Sequence, residues 1–149
     1  IKVNPLKEDL QELVKELSRG RMADVVFEVT GNAKLIPDEF NVLHEQGRFV
    51  VMSSPKEKTA FDFHDLCNRP SHTIIGAHNF SHPQVATYEN PWTAERHCEL
   101  FFDLVADGEL NVKRMISHRV DYREAPGIYH SLQEDRSQYM GIIIDWEDA

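Results

Sequence analysis

The chain has 149 residues, 41% of them apolar and 28% charged, with seven Gly, seven Pro and two Cys, a composition that fits a soluble globular chain and excludes collagen, low complexity and a disulfide scaffold. Sixteen Lys and Arg against 25 Asp and Glu leave a net charge of −9, which repels phosphate backbones and anionic headgroups, so neither nucleic acid nor a membrane surface is an expected partner. The longest apolar runs, 49–52 and 142–144, fall far short of the roughly 20 residues that cross a bilayer, and a cytoplasmic chain with Cys67 and Cys98 as reduced, inert thiols is the expectation.

Residue 1 is Ile rather than Met, and residues 1–3 read as a short strand running into Asn4-Pro5; a processed chain or a piece of something longer is expected. Asn4 can cap a helix that starts at Pro5, carries Leu6, Leu10, Leu13, Val14 and Leu17 on one face, and closes at Gly20. Residues 24–30 are β-branched and almost continuously apolar, the pattern of a strand covered on both faces in a parallel sheet. A second helix is predicted over 33–45 with Ile36, Phe40, Leu43 and His44 on one side, Pro37 restricting its start and Gly47 ending it. Residues 48–53 are a second buried strand and 73–77 a third, separated by a polar segment with Phe61 and Phe63 that carries no assignment.

Loop chemistry fills the stretch to Pro91, after which Thr93 caps a strong helix with His97, Leu100, Phe101, Leu104 and Val105 inward, a Trp92–His97 staple and Gly108 beyond. Residues 111–120 read as extended, Asp121 and Glu124 as a capping box opening a helix over Tyr122, Ala125, Ile128, Tyr129 and Leu132, and 139–146 as a last strand. The strand–helix alternation predicts an α/β fold with mostly parallel pairing. The acidic tail, Asp145, Glu147 and Asp148, is too short for an interaction arm.

The run Asp24-Val25-Val26-Phe27-Glu28-Val29-Thr30-Gly31-Asn32, then Gly47-Arg48-Phe49-Val50-Val51 and Ile74-Ile75-Gly76-Ala77, resembles the second half of the nucleotide-binding domain of zinc-type medium-chain alcohol and polyol dehydrogenases. Downstream, Glu99 to Leu104, Asp107 to Leu110, Ile116 to Arg119, Glu124-Ala125 and Ile142 to Trp146 resemble that family's closing segments, where the chain returns to the catalytic domain. The resemblance implies a partial Rossmann-like, doubly wound parallel sheet over 1–79 and an α+β segment of the catalytic domain over 80–149. It implies a parent oxidoreductase that moves hydride between NAD or NADP and an alcohol. It implies also a homo-oligomer that pairs residues 73–77 across a two-fold axis.

Open parallel sheets bind ligands at the carboxyl ends of their strands, and those ends are small and polar here. The resemblance maps Val29, Thr30 and Gly31, with Asn32 beside them, onto the adenosine side of the cofactor. It maps Met52, Ser53 and Ser54, and Gly76, Ala77, His78 and Asn79, onto the segments whose backbone holds the nicotinamide carboxamide. Gly31 allows close backbone approach and Thr30 has a hydroxyl to donate. Glu28, inside an apolar strand, reads as a hydrogen-bonded structural group in preference to a catalytic one. His78 and His82 have the spacing of helical metal ligands, which Pro83 undercuts. His118 reads as structural, and His97 and His130 as partly buried packing residues.

The family's chemistry needs a catalytic zinc, a G-x-G-x-x-G turn for the pyrophosphate and an acidic residue for the adenosine ribose, and this chain has none of these motifs. They are expected upstream of Ile1, together with two strands of the usual 3-2-1-4-5-6 order, and the chain alone is expected to be inactive. Two other readings stand beside this one. The chain could be a non-catalytic binding or interaction module on the same sheet, or part of a zinc-free quinone reductase, against which Thr30-Gly31-Asn32 speaks.

Overall fold

A computed structural model describes residues 1–5 and 7–147. Leu6, placed on the first helical face above, and Asp148 of the acidic tail lie outside the described residues. The chain divides into two compact units, Ile1–His82 and Pro83–Ala149.

In the first unit, residues 1–3 form no strand, because the ladder of neighbouring hydrogen bonds that makes a strand is missing there. The first helix, α1 (Leu10–Leu17), starts later than Pro5. Asp9 is its cap, accepting from the Glu12 N–H at 3.0 Å, whereas the Asn4 carbonyl accepts from Lys7 and Glu8 in a separate turn. Gly20 closes the helix as expected: at φ +85° it donates to the Lys15 carbonyl at 2.7 Å, a left-handed conformation that costs glycine little.

Strands β1 (Ala23–Glu28), β2 (Leu43–Val51) and β3 (Thr73–Gly76) form one parallel sheet in the order β1-β2-β3, the parallel α/β arrangement expected from the alternation. The predicted cover on both faces is not found. Phe27 is 59% exposed, and every residue of β3, Ile74 and Ile75 included, is exposed. A single layer, made by helix α2 (Ile36–Phe40) and the segment holding Phe61 and Leu66, packs on the face that carries Phe49. There Phe49 is fully buried and stacks on Phe40 with ring centres 4.0 Å apart, and Phe61 meets Phe40 edge-on at 4.8 Å. Burying such side chains contributes roughly 1.5–3 kcal/mol each.

The helix predicted over 33–45 shrinks to the five residues of α2, with Pro37 in its first turn, and Leu43 and His44 open β2 instead. Ile36, Phe40, Leu43 and His44 have helical spacing, but the chain turns at Asn41 and Leu43 reaches the same core from the strand. Gly47 lies inside β2. Between Ala23↔Leu43 and Val25↔Arg48 the register slips, so one residue of β1, Asp24, stands against the four residues 44–47 of β2, with Gln46 at φ +64°. A Cβ on Gly47 would stand 2.8 Å from the His44 carbonyl oxygen, which is why only glycine fits.

This irregular start is tied to the stretch before β3. The Gln46 N–H donates to the Pro70 carbonyl at 2.8 Å. The His72 ring bridges two backbone carbonyls, that of Leu66 at 2.8 Å from Nδ1 and that of His44 at 3.0 Å from Nε2. The unassigned segment thus acquires a role through a π-helical turn, His64–Asn68, whose carbonyl at Leu66 is one anchor. The half-buried Cys67 thiol points to the His72 carbonyl at 3.6 Å.

The second unit holds helix α3 (Ala94–Ala106), strand β4 (Ile116–Asp121), helix α4 (Ala125–Glu134) and strand β5 (Gly141–Asp145), with β4 and β5 parallel. Thr93 caps α3 by accepting from Arg96 at 3.3 Å, and Trp92 and His97 lie in ring contact at 5.1 Å, both as expected. The Asp121–Glu124 capping box is present as well. Four expectations fail. Residues 112–115 form a 3-10 turn before β4. The apolar face of α3 is half-buried only at Leu104 and Val105, with Leu100 and Phe101 exposed, and His97 is exposed too and not the partly buried packing residue expected. His130 is exposed and pairs with Glu134 at 3.3 Å one helical turn on, so it is a surface residue and not a packing one. His118 is engaged locally, its ring 4.7 Å from that of Tyr139 and its Nδ1 2.9 Å from the Ser117 hydroxyl.

Candidate functional site

The pairings Glu28↔Val51 and Val51↔Gly76 bring the three strands of the first unit to a level end. Residues 29–31, 52–54 and 77–79 therefore leave the sheet side by side at one carboxyl edge, where parallel sheets collect ligands. The ladder runs on past the strands: the Met52 and Ser53 N–H groups donate to the Glu28 carbonyl at 3.0 and 3.1 Å, and Ala77 donates to the Val51 carbonyl at 2.9 Å. Gly31, at φ +70°, faces Ser53 and Ser54, where a Cβ would make an ordinary contact of 3.7 Å with the Ser54 carbonyl oxygen, so it is the left-handed backbone that favours glycine there. A Cβ on Gly76 would meet open space. Val29 and Met52 project outward, 66% and 54% exposed.

Glu28 ends β1 and is fully buried, an expensive place for a carboxylate unless donors surround it. They do. One carboxyl oxygen accepts from the Thr30 N–H at 2.7 Å, the Thr30 hydroxyl at 2.7 Å and the Gly31 N–H at 2.9 Å. The other accepts from the Ser53 hydroxyl. Burial pushes the Glu28 carboxyl up, but the hydrogen bonds from Ser53, Thr30 and Gly31 outweigh it and hold the group below the usual carboxylate range. The hydrogen-bonded reading of Glu28 matches this geometry. The Thr30 and Ser53 hydroxyls point inward and donate to Glu28.

An open recess of about 350 Å³ adjoins this loop, lined by Thr30, Gly31, Asn32, Ala33, Lys34, Lys56 and Glu57. Sequence reasoning missed Lys34 and Lys56; each follows a strand-end loop within a few residues, the signal that would have found them. Glu39 on α2 was missed too. Burial, and after it the nearby Glu28 charge, pushes its carboxyl up, and its Oε2 is buried without a hydrogen-bond partner. The third loop lacks a comparable knot: the His78 ring accepts from the Phe80 N–H at 3.2 Å, within a turn and not on a helix. Among the described residues no group of three His, Cys, Asp or Glu could hold a metal ion, so these residues do not fit a zinc site. No helix among them is long and apolar enough to cross a membrane.

A parallel half-sheet with polar loops leaving one carboxyl edge places the chain in the Rossmann-like α/β class. It belongs, more narrowly, to the zinc-binding dehydrogenase family, whose model matches residues 2–94, more than half of the chain. A zinc-type alcohol dehydrogenase-like protein of uncharacterised activity from Haemophilus influenzae is 26% identical over 140 residues, covering 94% of this chain and 36% of that protein. The erythritol/L-threitol dehydrogenase of Mycolicibacterium smegmatis is 28% identical over 76 residues, or 51% of this chain and 21% of that one. In fold, the chain is similar to the crystal structure of an NAD-dependent alcohol dehydrogenase, with TM-score 0.72 and 18% identity over 97% of this chain and 37% of the other. The chain spans about a third or less of the length of these relatives.

Proposed function

We propose that this chain forms part of an alcohol or polyol dehydrogenase and supplies half of its NAD- or NADP-binding cleft. Residues 1–79 would belong to the nucleotide-binding domain and 80–149 to the returning part of the catalytic domain. The observation that carries the reading is the level carboxyl edge, where residues 29–31, 52–54 and 77–79 emerge together in a chain of this family.

The edge fits a flat, polar cofactor. Gly76 leaves the approach free of a side chain, and residues 29–31 offer backbone next to the Lys34 and Lys56 recess for the adenosine side. Met52, Ser53 and Ser54, with Ala77, His78 and Asn79, would orient the nicotinamide carboxamide and so choose the ring face presented to substrate. Bound, the cofactor supplies hydride transfer; this chain's residues bind and orient it. In this reading a catalytic zinc is held by residues outside this chain, and the chain alone does not turn over an alcohol.

The uncovered edge strand β3 favours association with a second copy through Thr73–Gly76. Light scattering is expected to report a dimer or larger species, and a monomer at working concentration counts against that part.

The main test is an amide-resolved NMR titration with NADH and, separately, with reduced nicotinamide mononucleotide. Resonances of residues 29–31 are expected to move with NADH only, and those of 52–54 and 77–79 with both. Saturating NADH that leaves all three loops unmoved overturns the reading.

A further inference from the structure

The Glu28 carboxylate lies between two of the three loops, and each donor that reaches it comes from one of them. Thr30 and Gly31 bind one oxygen and Ser53 the other, while the Glu28 backbone carbonyl receives Met52 and Ser53. An ionised carboxylate has only acceptor sites, and four donors reach this one, three on one oxygen and one on the other. A protonated carboxyl would place a hydrogen among donors, and a shorter side chain would reach one loop but not the other. The bonds also hold Gly31 at its positive φ and turn the Thr30 and Ser53 hydroxyls away from solvent.

We propose that Glu28 is the positioning residue of the cofactor edge: its carboxylate sets the spacing of residues 29–31 against 52–54, so the edge offers backbone groups, not hydroxyls, to its ligand. This rests on the nicotinamide-cofactor reading above. Charged neighbours are Glu39 on α2, which is electrostatically coupled to Glu28, and Lys34, Lys56 and Glu57 around the recess that Thr30 and Gly31 line. Ser53, on the β2 side, brings a hydroxyl and no charge.

The test has a cofactor-free arm and a cofactor arm, both on the whole chain. Without cofactor, the Thr30, Gly31 and Ser53 amide resonances are expected to titrate on acidification with one shared midpoint. That midpoint disappears in Glu28→Gln and survives in Glu39→Gln. Separate midpoints, or a Glu28→Gln variant in which only residues 29–31 move, overturn the proposal whether or not NADH binds.

With cofactor, NADH affinity is expected to fall about tenfold in Glu28→Gln, the scale of losing hydrogen bonds to a charged group, and to follow the same midpoint in the parent chain. Glu28→Asp, which keeps the charge but shortens the reach, is expected to keep the shared titration at residues 29–31 and lose it at Ser53. An NADH affinity independent of pH across the midpoint, in a chain that stays folded, also overturns it. If NADH fails to bind the parent chain while the shared midpoint is found, the functional reading falls and the loop-joining role of Glu28 stands.

Discussion

The two units are held together by different means. In Ile1–His82 the buried side chains of Ile36, Phe40, Leu43 and Phe49 form one cluster on a sheet face, and a buried carboxylate fastens the strand ends. In Pro83–Ala149 none of the described residues is fully buried, and regular structure rests on caps and local pairs: Thr93 on α3, the Asp121–Glu124 box before α4, Tyr122 stacked on Trp146, and Arg119 with Asp145. A core makes distant residues interdependent, whereas caps act one helix end at a time. The first unit should unfold as a block and the second fray in pieces.

The largest effect expected on this contrast comes from Phe49→Ala, which removes the centre of the core and should cost about 3–5 kcal/mol. Urea titration followed by circular dichroism measures it, and a loss under about 1 kcal/mol would place the stability of the first unit elsewhere. Next is acid. Glu28 has its folded value lowered, so its contribution is present above the ordinary carboxylate value of 4.5 and is lost as pH falls through the lowered one. Glu39 acts with the opposite sign: its folded value is raised, so its contribution is fullest below 4.5 and is lost as pH rises through the raised one. Protection against hydrogen exchange at residues 29–31 and 52–54, taken relative to the intrinsic rate at each pH, should therefore fall on the acid side, and protection that survives full acidification argues against the carboxylate knot.

Smaller losses belong to the second unit. Thr93→Ala or Asp121→Ala should each cost about 1 kcal/mol, read as faster exchange confined to α3 or to the start of α4. A loss that spreads through both helices would mean the unit is more cooperative than its burial suggests. The smallest effect is Arg119→Ala. The pair with Asp145 is exposed, so about 0.5 kcal/mol is expected, and high salt should erase the difference between parent and variant.

The parallel strands, their ends and the caps were legible because each has a local signal: a β-branched run closed by glycine, or Thr93 and Asp121 ahead of an apolar face. The error over 33–45 has an equally local cause. Leu43 and His44 stand at helical spacing from Phe40, and one-dimensional periodicity cannot tell a helix face from a strand that returns to the same core. Cover on both faces of the sheet was inferred from apolar runs, but Phe27 and Ile75, which share the face opposite Phe49, show that such a run can leave one side open within its unit. At the carboxyl edge the loops were foreseen from their composition. The inward turn of Thr30 and Ser53 was not, since a sequence records that a hydroxyl can donate and not where it points.

The bridge made by His72 also bears on chemical reactivity. Acylating reagents such as diethyl pyrocarbonate attack an imidazole through an accessible ring nitrogen, and both nitrogens of His72 face backbone carbonyls, that of Leu66 at 2.8 Å and that of His44 at 3.0 Å, which cover them from the reagent. In a labelling time course His72 should be the laggard relative to His130 on the exposed face of α4. Its late modification would act as a clock for the opening of the irregular start of β2, at the end of the sheet away from the loops.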